Sequence, residues 1–498
     1  MSYLGLDIGT GGCKAAVFND KGKELASAFR EYSVLHPLPE RAELNPDEVI
    51  SKCLDAIAEV NTRISDPVVS MSISSQGEAI TPVGSDGKTL GNAMVSSDSR
   101  AREIAGTWSN KFGIDKIYNI TGHTPHPLFS LFKILWIKEH QPDIFENARY
   151  FLCFEDLFHY RVGLEPKISW PLAGRTMLFN VLSHQWSKEI LEAAELPSGK
   201  LAIPVAPGEK TGIIKLQYGR KFGFKNPVML VAGGHDQTCA ALGAGVIESG
   251  MCMYATGSVE CFCPILDKPG FSDELQHNNL CCYDYTIRGK YTSVAYSLTG
   301  GNILRWMRDE LGKSETELAA TTGQNTYSLL LDAMPASPTN LLVLPYFSAT
   351  GTPYFDTRAK GAIIGLQLTT TKGEIIRALL EGVALEMKLN LQLMEKSGMM
   401  ISTFIATGGG TRNSIWTQIK SDVLNKKIIV RNVKEAGCYG AAMLACSASE
   451  DIPVRQFLQY NQAENAVFTP NPENAGFYDK KFENYKQLYP VLKQFWKP

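Results

Sequence analysis

Close to its start the chain reads Leu4-Gly5-Leu6-Asp7-Ile8-Gly9-Thr10-Gly11-Gly12-Cys13-Lys14, an apolar strand that delivers one carboxylate into a turn of small residues. A second strand follows, Ala15-Ala16-Val17-Phe18. Glycines at such a turn let backbone N–H groups come close to a phosphate, because no Cβ intervenes. A carboxylate at the end of the preceding strand is placed to organise a hydrated Mg²⁺ on that phosphate, since the ion prefers oxygen ligands and keeps much of its water. No Gly-Lys-Ser/Thr closes the loop and a strand, not a helix, comes next, so neither of the two commonest nucleotide loops is present.

The same pattern returns about half a chain later. Gly250-Met251-Cys252-Met253-Tyr254-Ala255-Thr256-Gly257-Ser258-Val259-Glu260-Cys261-Phe262 is again strand, small-residue turn, strand. Two hairpins of one kind suggest a duplicated pair of domains gripping a phosphate between them. With 498 residues the chain is too long for one core, and the expected division is 1–245 and 246–498. Strands alternating with helices in both halves indicate α/β layers, with the ligand in the cleft between domains.

Composition narrows the partners. A formal charge of -2 leaves no basic footprint for nucleic acid and no bias toward an anionic membrane, so an anionic ligand must be held locally. No secretory signal and no span of bilayer length is evident. The eleven cysteines are scattered, and Cys261-Phe-Cys263 and Cys281-Cys282 lack the paired spacing of a zinc site. Buried free thiols in the cytoplasm are the expectation.

Along the first half, Asn45-Pro46-Asp47-Glu48 starts a helix to about Val60, with proline and acids suited to its first turn. Strands are expected at 68–73 and 227–232, the latter followed by Gly233-Gly234-His235-Asp236, and a helix at 131–140. In the second half helices are expected at 303–311 and 374–396, the latter with a core stripe of Ile375, Leu379, Val383 and Met387. A strand at 404–407 leads into Gly408-Gly409-Gly410-Thr411-Arg412-Asn413 and a further helix, and the tail after Asp451 reads as a helical or loop-like cap.

Three glycine-bearing turns after strands, with Asp236 after another, point to phosphoryl transfer. That chemistry demands positioning and charge neutralisation, plus a carboxylate for the attacking hydroxyl's proton. In order and over essentially its whole length, the chain resembles the FGGY family of carbohydrate kinases. The resemblance implies two duplicated actin-like, ribonuclease H-like α/β domains with a cleft between them, the fold of actin, hexokinase and the heat-shock chaperone ATPases. It rests on Asp7-Ile8-Gly9-Thr10, on the loop Asn92 to Arg100 carrying Asp98-Ser99-Arg100, and on Lys133-Ile134-Leu135-Trp136-Ile137. Gly233 to Gln237, Thr256-Gly257-Ser258, Gly361 to Leu366 with the helix after it, and Gly408 to Asn413 complete the series.

By that resemblance ATP and Mg²⁺ are the cofactors and a small sugar or polyol is the acceptor. Asp236 is the general base toward the attacking hydroxyl. Asp7 organises Mg²⁺, through water. Gly9, Thr10 and Gly11, with Lys14, hold one side of the polyphosphate, and Thr256, Gly257 and Ser258 the other. Gly301, Arg305, Gly409, Gly410 and Asn413 flank the nucleotide. Gln76, Glu78, Ser96, Asp98, Arg100 and Asp236 face the acceptor, while His235 reads as scaffold. Many relatives are dimers, so a homodimer is expected.

The acceptor is less constrained. Members acting on xylulose show Gln-Met-His-Gly where this chain has Gln76-Gly77-Glu78-Ala79, and members acting on glycerol show Gln-Arg-Glu. Glu78 matches the glycerol type, but Gly77 replaces its arginine, Leu128 its tyrosine and Ser96 the tryptophan of both. A roomier pocket follows, suited to a ketose such as xylulose or a polyol larger than glycerol, with Glu78 and Asp98 repelling an acid sugar. The alternatives are a glycerol-type polyol kinase and a non-catalytic nucleotide- or sugar-binding protein of the same fold.

Overall fold

The computed structural model describes residues 1–431, 433–458 and 466–496. The first half builds a six-stranded sheet from β1 (Ser2–Ile8), β2 (Gly12–Asn19), β3 (Glu24–Glu31), β4 (Val68–Ser75), β5 (Lys210–Ile214) and β6 (Val228–His235), in the order β5-β6-β4-β1-β2-β3. The second sheet comprises β7 (Met251–Thr256), β8 (Glu260–Pro264), β9 (Ala295–Ser297), β10 (Thr403–Thr407), β11 (Lys427–Val430) and β12 (Ala466–Phe468), ordered β9-β8-β7-β10-β11-β12.

Starting from β3 or from β9, each sheet pairs antiparallel, antiparallel, parallel, parallel, antiparallel. The duplication suggested by the two hairpins is therefore a duplication of topology. The parallel centre of each sheet needs crossover helices, which cover its faces and bury the central strands, serines of β4 included. In β1 every residue but Asp7 is buried.

The crossover helix α1 (Pro46–Thr62) begins where Asn45 accepts hydrogen bonds from the amides of Asp47 and Glu48, and it buries Val49, Ile50, Cys53, Ala56, Ile57 and Val60 at helical spacing. The other principal helices are α2 (Ser130–His140), α3 (Asp236–Gly243), α4 (Lys372–Lys396), α5 (Ser414–Leu424), α6 (Ala436–Glu450) and α7 (Pro472–Leu492).

Two of these helices cross between the sheets. α6, from the second half, lies on β1, β4 and β6 of the first sheet. A Cβ at Gly5 would stand 1.8 Å from Cys438 O, so β1 tolerates only glycine under that helix. α3, from the first half, places Ala241 and Ala244 against Met253, Cys263 and Ile405 of the second sheet. α3 and α6 meet backbone to backbone: added Cβ atoms at Gly243 and Gly440 would lie 2.0 Å from Ala436 O and from Cys239 O. The two halves are thus interlocked beneath the cleft by a glycine-mediated crossing.

Three expectations change. β6 runs past its expected end at 232 through Gly233, Gly234 and His235, and Asp236, at the end of that strand as expected, opens α3 directly. The glycines are there for packing, since a Cβ on Gly233 would sit 1.8 Å from Ile73 O of β4. The tail is more than a cap, because β12 completes the second sheet. The 303–311 helix is α-helical at Asn302–Trp306 and widens to a π turn at Met307–Leu311.

α4 is buried on most of its surface, and its Glu381 carboxylate accepts hydrogen bonds from Arg377, Tyr478, Lys481 and Thr339, fastening α7 against it. All eleven cysteines are free and buried. Among the described residues no helix is long and apolar enough to cross a membrane.

Candidate active site

β1 brings Asp7 opposite Lys14 of β2 and Ser74 of β4. The Ser74 hydroxyl donates to Asp7 Oδ1 at 2.6 Å. Burial pushes the Asp7 carboxyl above the usual carboxylate range, Glu435 adding to the rise and Ser74 and Lys14 opposing it. From α6, Gly437 leaves the carboxylate uncovered; a Cβ there would approach it to 3.0 Å. Lys14 pairs with Glu435 at 2.7 Å and so is not a free cation over the turn.

The turn after Asp7 is braced from below. Gly9 N–H donates to Gly12 O (3.0 Å), and Gly9 O accepts from Tyr32 Oη (2.7 Å) and Gln76 Nε2 (3.0 Å). The Thr10 hydroxyl donates to Gln76 Oε1 at 3.1 Å. Gln76, expected at the acceptor, holds the hairpin with both ends of its carboxamide. Gly11 is exposed and open: a Cβ there would meet nothing within 4 Å.

The second hairpin is built the same way. Gly257 N–H closes the turn on Val259 O at 3.0 Å, and the Thr256 hydroxyl donates to Thr407 O at 3.0 Å, tying β7 to the end of β10. Gly301 N–H donates to Gly257 O at 2.8 Å, and a Cβ on Gly301 would lie 2.5 Å from that oxygen. Added Cβ atoms on Gly408 (φ 95°) and Gly410 would come within 2.7 Å of Thr256 O and 2.8 Å of Thr256 Oγ1. The turn, the loop before residue 302 and the Gly408 to Asn413 segment therefore converge on Thr256.

Gly301, Gly410 and Thr256 serve this packing, whereas Gly257, Ser258 and Gly409 stay exposed. Asn413 caps α5, its Oδ1 accepting from Trp416 N–H at 2.8 Å. Arg305 stands on an exposed face.

Asp236 is the first residue of α3. Burial, with the charges of Asp7 and Glu78, pushes its carboxyl up to about 7, against the opposing effects of the Gln237 amide and Arg175. Its field also reaches the Cys261 thiol in β8, on the other side of the cleft. Asp236 Oδ1 is buried and has no well-aligned donor, and His235 Nε2 stands 3.2 Å from it.

On the acceptor side Glu78 has a left-handed backbone, φ 64°, which turns its carbonyl inward to accept from Ser130 Oγ and Lys133 Nζ, both at 3.0 Å. Burial lowers Lys133 to about 8, while Glu78 and Asp98 hold it up. The Glu78 carboxylate pairs with the Arg175 guanidinium, which lies 5.4 Å from the ring centres of both Phe129 and Tyr283.

Sequence reasoning missed Arg175. The available signal was a lone arginine after the buried turn Trp170–Gly174, in an otherwise apolar run. The space beside Gly77 is not vacant, since a Cβ there would stand 3.1 Å from both Arg175 Cβ and His235 Cδ2.

Asp98 and Arg100 hold each other. Arg100 Nε donates to both Asp98 oxygens (2.9 and 3.0 Å), Ala42 N–H donates to Asp98 Oδ2 (2.8 Å), and Arg100 also reaches Glu43 and stacks 5.0 Å from the Trp136 ring centre. Both are buried, whereas Ser96 on the same loop is exposed.

Comparison with known proteins shows the family and the fold. The N-terminal domain of the FGGY family of carbohydrate kinases matches residues 2–243, and the C-terminal domain of that family matches residues 250–449. A xylulose kinase of Bacillus subtilis is 26% identical over 98% of this chain and 97% of its own length. A glycerol kinase of Thermococcus gammatolerans is 30% identical over 89% of this chain and 88% of its own. The crystal structure of a gluconate kinase from Lactobacillus acidophilus superposes with a TM-score of 0.90 at 24% identity, covering 99% of this chain and 98% of that one.

Proposed function

Because the chain belongs to the FGGY family of carbohydrate kinases, we propose that it transfers the γ-phosphate of ATP in line to a hydroxyl of a ketose such as xylulose, or of a polyol, with Asp236 as general base. The observation that carries this reading is the pairing of Asp7 and Asp236. Each stands at the cleft end of a central strand of one sheet, each is raised by burial, and Asp7 raises Asp236 further. Two buried carboxylates, one destabilising the other, under a lining of open glycines mark a site that gains by taking up positive charge and a polyphosphate.

Mg²⁺ fits that donor set. Asp7 would hold it through water, and when bound the ion neutralises charge on the polyphosphate. The chain's own residues supply the rest. The amides of Gly9 and Gly257 close their own turns, which leaves Thr10 and Gly11 on one side and Ser258 on the other as donors to phosphate oxygens. Gly409 and the free amide end of Asn413 face the adenosine. Asp236 accepts the proton of the attacking hydroxyl, and Glu78, fixed by Arg175, Ser130 and Lys133, orients the acceptor. Lobes 1–245 and 246–498 close over the pair, excluding water as a competing acceptor.

For the acceptor, Glu78 and Asp98 each carry a guanidinium partner, so repulsion of an acid sugar no longer follows from them. With the space beside Gly77 filled by Arg175 and His235, the preference for a neutral ketose or larger polyol rests on Leu128 and the exposed Ser96. Turnover with ATP across pentuloses, hexuloses, polyols, glycerol and gluconate tests it. Fastest turnover of a ketose or a polyol larger than glycerol supports the reading, and fastest turnover of glycerol or gluconate refutes it.

A further inference from the structure

Two buried polar atoms flank one histidine, the Tyr283 hydroxyl and Asp236 Oδ1. Tyr283 is fully buried, and among the described residues its hydroxyl has a single hydrogen-bond partner, His235 Nδ1 at 2.9 Å. A buried O–H is rarely left without an acceptor, so the hydroxyl donates and Nδ1 accepts. In a neutral imidazole the proton then sits on Nε2. That nitrogen is 3.2 Å from Asp236 Oδ1, a buried carboxylate oxygen with no hydrogen-bond partner among the described residues. This tautomer gives the hydroxyl its acceptor and puts an N–H on the ring nitrogen nearest the unpartnered oxygen.

We propose that His235 is a positioning residue for the base, its Nε2–H lying against Asp236 Oδ1 and closing on it when the acceptor binds, and its tautomer set by the Tyr283 hydroxyl. The inference rests on the assignment of Asp236 as base and adds the group that aims it. With Oδ1 buried against His235, Oδ2 is the oxygen left for the acceptor's proton. Burial, reinforced by the nearby Arg175 cation, keeps His235 well below its ordinary pKa, so the ring is neutral at working pH. The groups around it are Asp236, Tyr283, Arg175 and His123.

Tyr283 is itself anchored. It belongs to a segment of the second half that packs into the core of the first, where Cys282 N–H donates to Gly122 O at 2.8 Å. Gly77 completes the arrangement, because a side chain at that position would press on His235 Cδ2. The second half of the chain thereby sets the orientation of a base carried by the first.

Two measurements test this. In protein labelled with ¹⁵N-histidine, the His235 signal is assigned by its loss in His235→Gln. The expected state at pH 7–8 is the neutral Nε2–H tautomer, and an Nδ1–H tautomer or an imidazolium overturns the proposal. The second is kinetic, with MgATP and D-xylulose or whichever acceptor of the panel turns over fastest.

Gln places an N–H where Nε2 was, whereas Asn reaches only toward Tyr283. His235→Asn is expected to lower kcat by about 10- to 100-fold with KM for ATP within twofold, and His235→Gln to lose markedly less. Tyr283→Phe should lower kcat in the wild-type background and add no further loss in the Gln background. Equal losses for Asn and Gln, or an undiminished Tyr283→Phe effect beside Gln, overturn it. Asp236→Asn separates the two levels: full activity there defeats the base assignment, while an inactive Asp236→Asn beside a fully active His235→Asn defeats only the positioning role.

Discussion

Asp236→Asn should destroy activity and, without nucleotide, make the protein more stable at neutral and alkaline pH. The carboxyl rises from an ordinary value of 3.8 to about 7 because burial and the charges of Asp7 and Glu78 penalise the anion. The folded state therefore binds the proton more tightly than the unfolded state, and stability falls as pH rises between those two values. At about 1.4 kcal/mol per pH unit the full penalty is ~4 kcal/mol. The side chain is 32% exposed, and water screening reduces this to ~2 kcal/mol.

Asparagine carries no charge and escapes that penalty. A thermal midpoint about 2–4 °C above wild type is expected at pH 8 for a chain of this size, shrinking to a small remainder near pH 4, close to the ordinary value of 3.8 at which the unfolded carboxyl titrates. Phosphoryl transfer should fall by about 10²- to 10⁴-fold, the usual cost of losing a general base. Thermal scans from pH 4 to 8 beside a coupled assay of ADP release measure both. A midpoint unchanged or lowered at pH 8, or activity within tenfold of wild type, refutes the reasoning.

The same titration fixes the acid limb of the rate profile: kcat/KM should drop about tenfold per pH unit below about 7, since the free enzyme must be ionised at Asp236 to accept a proton; a flat profile from pH 5 to 8 contradicts it. Gly11→Ala, with open space around the new methyl, should leave the thermal midpoint within about 1 °C while raising KM for ATP. Gly301→Ala, whose methyl would meet Gly257 O at 2.5 Å, should instead lower stability by about 1–3 kcal/mol, as overpacking does; equal behaviour of the two variants in denaturant and kinetics would contradict the distinction between open and packed glycines. Arg175→Met leaves Glu78 buried without its cation and should cost about 3–5 kcal/mol in urea unfolding, a loss that a further Glu78→Gln change largely restores.

The duplicated fold was legible because its signal is local. Apolar strands that end on small residues stand out in a sequence, and two such hairpins half a chain apart mark a repeated sheet. Packing glycines were harder to read. Gly233 and Gly234 stand beyond the strand end expected at 232, yet they lie within β6, where Ile73 O leaves no room for a side chain on Gly233. The tail strand β12 is short and its pairing with β11 is non-local, so periodicity carried no trace of it.

Within the site, Asp7 and Asp236 were readable as carboxylates next to strand ends. The engagement of Gln76 with the hairpin, the grip of the Ala42 amide on Asp98, and the arrival of Arg175 beside Gly77 depend on contacts between residues distant in sequence. No spacing rule encodes such contacts.

A structure determined with Mg²⁺, a non-hydrolysable ATP analogue and the preferred acceptor bears most directly on the central claim. The expected result is a γ-phosphate between Thr10–Gly11 and Gly257–Ser258, a metal joined to Asp7 through water, and an acceptor hydroxyl within hydrogen-bonding distance of Asp236 Oδ2. A nucleotide bound away from these two turns, or an acceptor hydroxyl out of reach of Asp236, would contradict it.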